Sequence, residues 1–266
     1  MRNHYMFRKE HTTHPVTRQI NPLFQKLLHA HSVHSIDSCR QFSRQLTLSP
    51  SEKYVDEIYA LIPFESDSKE LCTLIIYENY IRIVNQPPLG CVQFILLQTH
   101  FFSYITYCKA ISNLLDTHIY KIPVATLNSV LIPLETPMRQ NTTIWINPAR
   151  VADIHLDGLT TYITFSNKFS ITSPVQKRAL QHSMSRSFVI WGIIHQEFVF
   201  PIKLLSQNSL ANFLDIQMNP LLAVIFKKLT PTDYQYEKWA FSTSYRKIAY
   251  EERLKQYEET HNILLD

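Results

Sequence analysis

The chain has 266 residues, of which 45% are hydrophobic and 18% charged, with a net charge of +4, enough material for one sizeable core with appendages. It holds only 3 glycines, Gly90, Gly158 and Gly192, which excludes the clustered glycines of a P-loop or a dinucleotide-binding turn. No run reaches the roughly 18 apolar residues of a membrane span, and MRNHYMFRKEHTTHP lacks the apolar stretch of a signal peptide, so a cytoplasmic protein is expected.

Cys39, Cys72, Cys91 and Cys108 are scattered without CxxC spacing and read as reduced thiols rather than a zinc site or a disulfide framework. Charge is uneven. Residues 1–50 carry Arg2, Arg8, Lys9, Arg18, Lys26, Arg40 and Arg44 against Glu10 and Asp37, so any attraction to polyanions read from composition sits there. The arm is also rich in histidine. His31 and His34 stand three apart, but no Cys or carboxylate completes a ligand set, and they read as solvated surface residues. No metal and no cofactor is expected.

In chain order, residues 1–18 are polar and aperiodic. Asn21 and Pro22 form an N-cap and first helical position for PLFQKLLHAH, with Leu23, Leu27 and Leu28 along one face. Ser49-Pro50-Ser51-Glu52 predicts a second helix over EKYVDEIYALI, ending before Pro63. Two β-rich runs follow, Cys72 to Tyr77 and Tyr80 to Val84, joined at Glu78-Asn79 and closed by Gln86-Pro87-Pro88-Leu89-Gly90. CVQFILLQTHFFSYITYCKAISNLLD is ambiguous, with a helix favoured over part of it.

Val130 to Ile132 and Ile144 to Ile146 predict two paired strands, with Pro123, Pro133 and Pro137 at strand starts, edges or the loop. Asn147-Pro148-Ala149-Arg150 turns into VADIHL, and Asp157-Gly158 turns that strand into TTYITFSN, where Ile163 and Phe165 face opposite to Tyr162 and Thr164. A turn at Asn167-Lys168 leads to FSITSP. From Val175 the period is helical, and two or three further helices lie between residues 203 and 259. The expectation is an α+β fold: a mainly antiparallel sheet over about 72–173, flanked by helices, with a helical C-terminal extension. By residue, 1–50 form a basic, His-rich arm, 51–200 the α+β domain and 201–266 the extension.

CTLIIYENYIRIVNQPP, HFFSYITYCK, KIPV with LIPLETP, TIWI, YITFSN and SRSFVIWG occur in that order between Leu71 and Ile194. Together they resemble the competence transcription factor (ComK) family of Gram-positive bacteria. The resemblance implies a non-enzymatic activator of DNA-uptake genes that binds AT-rich double-stranded DNA through the minor groove as a homo-oligomer. It also implies RNA polymerase or a proteolytic adaptor as further partners, and no membrane. A narrow, electronegative groove draws in Arg and Lys, which makes the basic residues of the matching region the candidates.

Arg139, in a polar loop, and Lys177 with Arg178, at an expected helix start, are placed to meet phosphate, and Arg186 lies one to two turns on. Lys109 is the only positive charge in ITYCKAISNLLD, a segment that is basic in the family, and Thr143 stands where the family has a cysteine. Lys121 reads equally as an edge-protecting charge or a phosphate contact. Trp145, Phe101, Phe102 and Tyr104 read as core. The thin charge after HFFSY supports an alternative: a regulatory interaction protein on the same fold that does not bind DNA.

Overall fold

A computed structural model of the chain describes residues 58–262, other than 67, 100, 102, 118–119, 138–141, 199–208, 231–232 and 234–235. The arm, the expected helix after Asn21, the histidine pair, Cys39, Phe102 and Arg139 lie outside the described residues.

The expected α+β architecture is present, and its strands divide between two sheets. Strands β1 (Ala60–Glu65), β2 (Leu71–Ile76), β3 (Ile81–Val84), β4 (Val124–Ala125), β5 (Val130–Pro133) and β6 (Trp145–Ile146) form an antiparallel sheet of order β3-β2-β1-β6-β5-β4. A second sheet is the meander β7 (Val151–Asp157), β8 (Thr160–Phe165) and β9 (Ser170–Ser173). The β2–β3 and β7–β8 hairpins and the β5–β6 pair are those expected, with Gly158 at a φ of 58° in the β7–β8 turn and Lys168 at 72° after β8. Along β8, Thr161, Ile163 and Phe165 are buried and alternate with half-buried Thr160, Tyr162 and Thr164, as its period-2 pattern requires.

One element departs from expectation. The helix anticipated up to Ile62 is absent where it falls on described residues: Ile58 and Tyr59 belong to no helix, and Ala60 to Phe64 form a fully buried stretch of β1. A continuous apolar run carries no alternation to separate a two-sided buried strand from a helix. Pro63 does not end a helix but sits inside this strand. It is tolerated because β6 reaches only Leu61, which leaves β2 as the sole neighbour at Pro63.

The ambiguous apolar segment forms two helices, α1 (Pro88–Gln98) and α2 (Tyr104–Leu114). Pro88 closes the preceding hairpin and also occupies the first turn of α1, where its missing N–H removes no helical bond. Ser103 caps α2 by accepting from Thr106 N at 3.3 Å. Helix α3 (Lys177–Phe198) packs on β4, β5 and β7 through a face that includes Leu180, Met184, Phe188 and Trp191. Short helices α4 (Leu210–Phe213) and α5 (Pro220–Phe226) and the long α6 (Ala240–Asn262) complete the C-terminal part. Phe241, Tyr245 and Ile248 of α6 belong to the same apolar cluster as the sheet. Phe241 meets the rings of Phe101 and Tyr107 edge-on at 5.1 and 5.2 Å. No helix among the described residues is long and apolar enough to cross a membrane.

Trp145 is fully buried and stacks edge-on against Tyr104 at 5.7 Å, so both residues lie in the core as expected, with Phe101. Next to it, fully buried Asn147 joins β1 to the turn after β6. Its side chain donates to Ile58 O at 3.2 Å and accepts from Ala149 N at 3.0 Å, while its own N–H reaches Tyr59 O at 2.8 Å. A buried carbonyl left without a donor costs about 1–3 kcal/mol. Asn147→Ala is therefore expected to lower unfolding stability by about 1–3 kcal/mol in a denaturant titration with an unchanged slope, whereas exposed Thr243→Ala changes it by less than about 0.5 kcal/mol.

Candidate nucleic-acid interface

The basic residues divide into those the fold ties down and those it projects. Lys109 belongs to the first group. Its Nζ bonds Glu252 Oε1 of α6 at 2.6 Å, while Thr106 Oγ1 donates to Glu252 Oε2 at 2.6 Å. The hydrogen bond from Lys109, followed by that from Thr106, holds the Glu252 carboxyl below its usual range. Lys121 donates to Leu134 O at 2.6 Å, just past the end of β5. Arg82 lies over the Tyr80 ring and Arg150 over Tyr59, at 5.6 and 5.8 Å.

A cluster of the second kind lies on the N-terminal half of α3. The turn into it is held by Ser173, whose hydroxyl accepts from Val175 N at 3.0 Å. Once Leu180, Met184 and Phe188 are buried, the helical period puts Arg178, His182 and Arg186, at four-residue intervals, on a common outward stripe. Arg178 and His182 are exposed and Arg186 half-buried, with Arg186 Nη2 3.5 Å from His182 Nε2. Lys177, half-buried, opens the helix where the aligned peptide dipoles leave positive charge. No Asp or Glu occurs between Asn167 and Gln196, and among the described residues none of Lys177, Arg178 and Arg186 has an acidic partner.

Of the six residues singled out from sequence, three thus share one helix half, Lys109 and Lys121 are engaged elsewhere, and Arg139 lies outside the described residues. His182 was missed, although its spacing of four from both arginines was legible once the helix was assigned. The partner of Lys109 was not legible, because Glu252 lies 143 residues away.

Other chemistry is sparse. Among the described residues no three His, Cys, Asp or Glu side chains stand together as a metal site. Burial raises the Cys72 thiol and pushes that of Cys108 up to about 12, which makes both poor nucleophiles near neutral pH. Tyr104 and Tyr107 are shifted upward by the same desolvation, so both hydroxyls stay protonated; that of Tyr104 donates to Ile122 O, and that of Tyr107 accepts from Ala125 N at 3.1 Å. Comparison with protein-family models, with curated proteins and with solved structures found no match to the chain.

The Lys109–Glu252 pair makes a measurable statement about pH. A carboxyl whose folded value is depressed contributes stability above its unfolded value and loses it as pH falls through the folded one. Lys109→Ala is expected to move the Glu252 carboxyl back toward the ordinary carboxylate range in a side-chain NMR titration. Because the lysine side chain is 55% exposed, the stability cost is expected to be only about 0.5 kcal/mol at neutral pH and to vanish at acid pH.

Proposed function

We propose that the protein is a DNA-binding transcriptional regulator that meets duplex phosphates with the N-terminal half of α3. The observation that carries this reading is the Arg178–His182–Arg186 stripe beside Lys177, in a stretch from Asn167 to Gln196 free of acidic residues. Helical spacing places the Arg178 and Arg186 backbone positions about 12 Å apart along the helix axis, from a rise of about 1.5 Å per residue. Arginine is suited to phosphate because its planar fork donates two parallel bonds and is weakly hydrated. Within this reading, the resemblance to the ComK family supplies the finer expectation: an oligomeric activator of competence genes on AT-rich sites, working at the nucleoid.

A second reading is favoured by one specific observation. Lys109, the sole cation of the segment that is basic in that family, is paired with Glu252 rather than projected. A protein regulator that binds another protein instead of DNA would tolerate that arrangement, since it needs no phosphate contacts there.

Titration of the full chain with AT-rich and GC-rich duplexes between about 50 and 200 mM salt separates the two readings. The activator reading expects tighter binding of the AT-rich duplex and an affinity that falls steeply with salt. Arg178→Ala and Arg186→Ala should each weaken binding to every duplex and lower the log–log salt slope by about one. Absence of binding to either duplex at low salt would refute it and leave the protein-partner reading.

A further inference from the structure

A second cationic feature lies at the far end of α3. Between the α1–α2 connection, the C-terminal end of α3 and the outer face of α6 runs an open groove of about 470 Å³, within the size range of small-ligand sites. Its floor is buried Phe101. Its rim holds three large rings that a folded chain would ordinarily cover: Phe198, Trp239 and Tyr250 are 44%, 52% and 64% exposed. Arg246 and Arg253 complete it. Seven residues apart, they stand two turns from each other on one face of α6 with Tyr250 between them.

Charge and shape in this groove point in one direction. No acidic side chain lines it, and among the described residues neither arginine has an acidic partner. The carboxylate of Glu197 is buried, accepts from Phe241 N at 3.1 Å and Ser242 Oγ at 2.6 Å, and forms no ion pair with either arginine among the described residues. Trp239 immediately precedes α6 with a φ of 72°, a left-handed conformation that is costly for a bulky residue. That backbone holds an indole at the rim, where the Lys238 ammonium lies 5.1 Å from its centroid. A pair of guanidiniums with no acidic partner among the described residues calls for an anion, and exposed rings call for a flat partner. A ligand with both on one short scaffold satisfies the groove as a whole.

We infer that this groove binds a nucleotide, with its base stacked on the exposed rings at the rim and its phosphate held between Arg246 and Arg253. Base stacking on an aromatic side chain contributes about 1–3 kcal/mol, and paired arginines supply the fork geometry that phosphate requires. The site is independent of the duplex reading. Twenty residues of α3 separate Arg178 from Phe198, a distance of about 30 Å at a rise of about 1.5 Å per residue.

Isothermal titration of the full chain with AMP, ATP, adenosine and inorganic phosphate, with tryptophan fluorescence followed in parallel, tests the site. The expected result is one-site, saturable binding of AMP or ATP with a change in indole emission, and binding of adenosine and phosphate at least tenfold weaker. Arg246→Ala and Arg253→Ala, both at exposed positions, should each weaken nucleotide binding at least tenfold. Arg246→Lys and Arg253→Lys preserve charge and solubility and should still lose several-fold, because the fork is gone. The inference is overturned if neither nucleotide binds, if the arginine variants bind as the parent does, or if phosphate alone binds as tightly as AMP.

Discussion

Strand β1 occupies the middle of the larger sheet, and the remaining elements are arranged around the need to satisfy it on both edges. Six register pairs join it to β2, from Ala60 opposite Ile76 to Glu65 opposite Leu71, while β6 takes the other edge only at Ala60 and Leu61. That short second edge is completed by Asn147, which supplies bonds where β6 ends and turns the chain into β7. Buried backbone groups tolerate no gap of this kind without a substitute partner, so a polar side chain in a fully buried place is here a structural requirement. The second sheet leans on the same region: Ser166 donates to the Tyr59 hydroxyl and Asn167 to Tyr77 O.

From that junction the packing continues outward through aromatic contacts. Trp145 meets Tyr104 of α2, Tyr107 of α2 meets Phe241 of α6, and Phe101 sits among Phe241 and Tyr245. The C-terminal helix is thereby joined to the core of the sheet across more than a hundred residues of chain. Its register on α2 also brings Glu252 to Lys109 and Thr106. One docking event therefore has two consequences. It pairs a cation with a carboxylate, and it leaves the opposite face of α6, with Arg246, Tyr250 and Arg253, without a covering element among the described residues.

The distribution of positive charge follows from where each basic residue falls relative to burial. Cations at strand ends and beside the core have carbonyls, carboxylates or rings within reach, as Lys121, Lys109 and Arg150 show. Cations on the outward stripe of an amphipathic helix have no carboxylate partner among the described residues, because the period that buries Leu180, Met184 and Phe188 turns Arg178 and Arg186 away, with only the His182 ring 3.5 Å from Arg186. Net charge alone could not make this distinction, since both groups count equally toward +4.

Short-range chemistry was legible in the residues themselves. The Glu78-Asn79 and Asp157-Gly158 turns, the alternation along β8 and the start of α3 after Pro174 each depend on neighbours within a few positions, and each formed where the sequence indicated. The identity of β1 was not, because ALIPF is apolar at every position and its choice between helix and strand was made by β2 and β6 on either side. Nor was the fate of Lys109, or the gathering of Phe101, Phe198, Trp239 and two α6 arginines around one groove. Local propensity sets which segments turn, extend or coil; which side chains meet depends on contacts closed over long stretches of chain, and only tertiary packing specifies those.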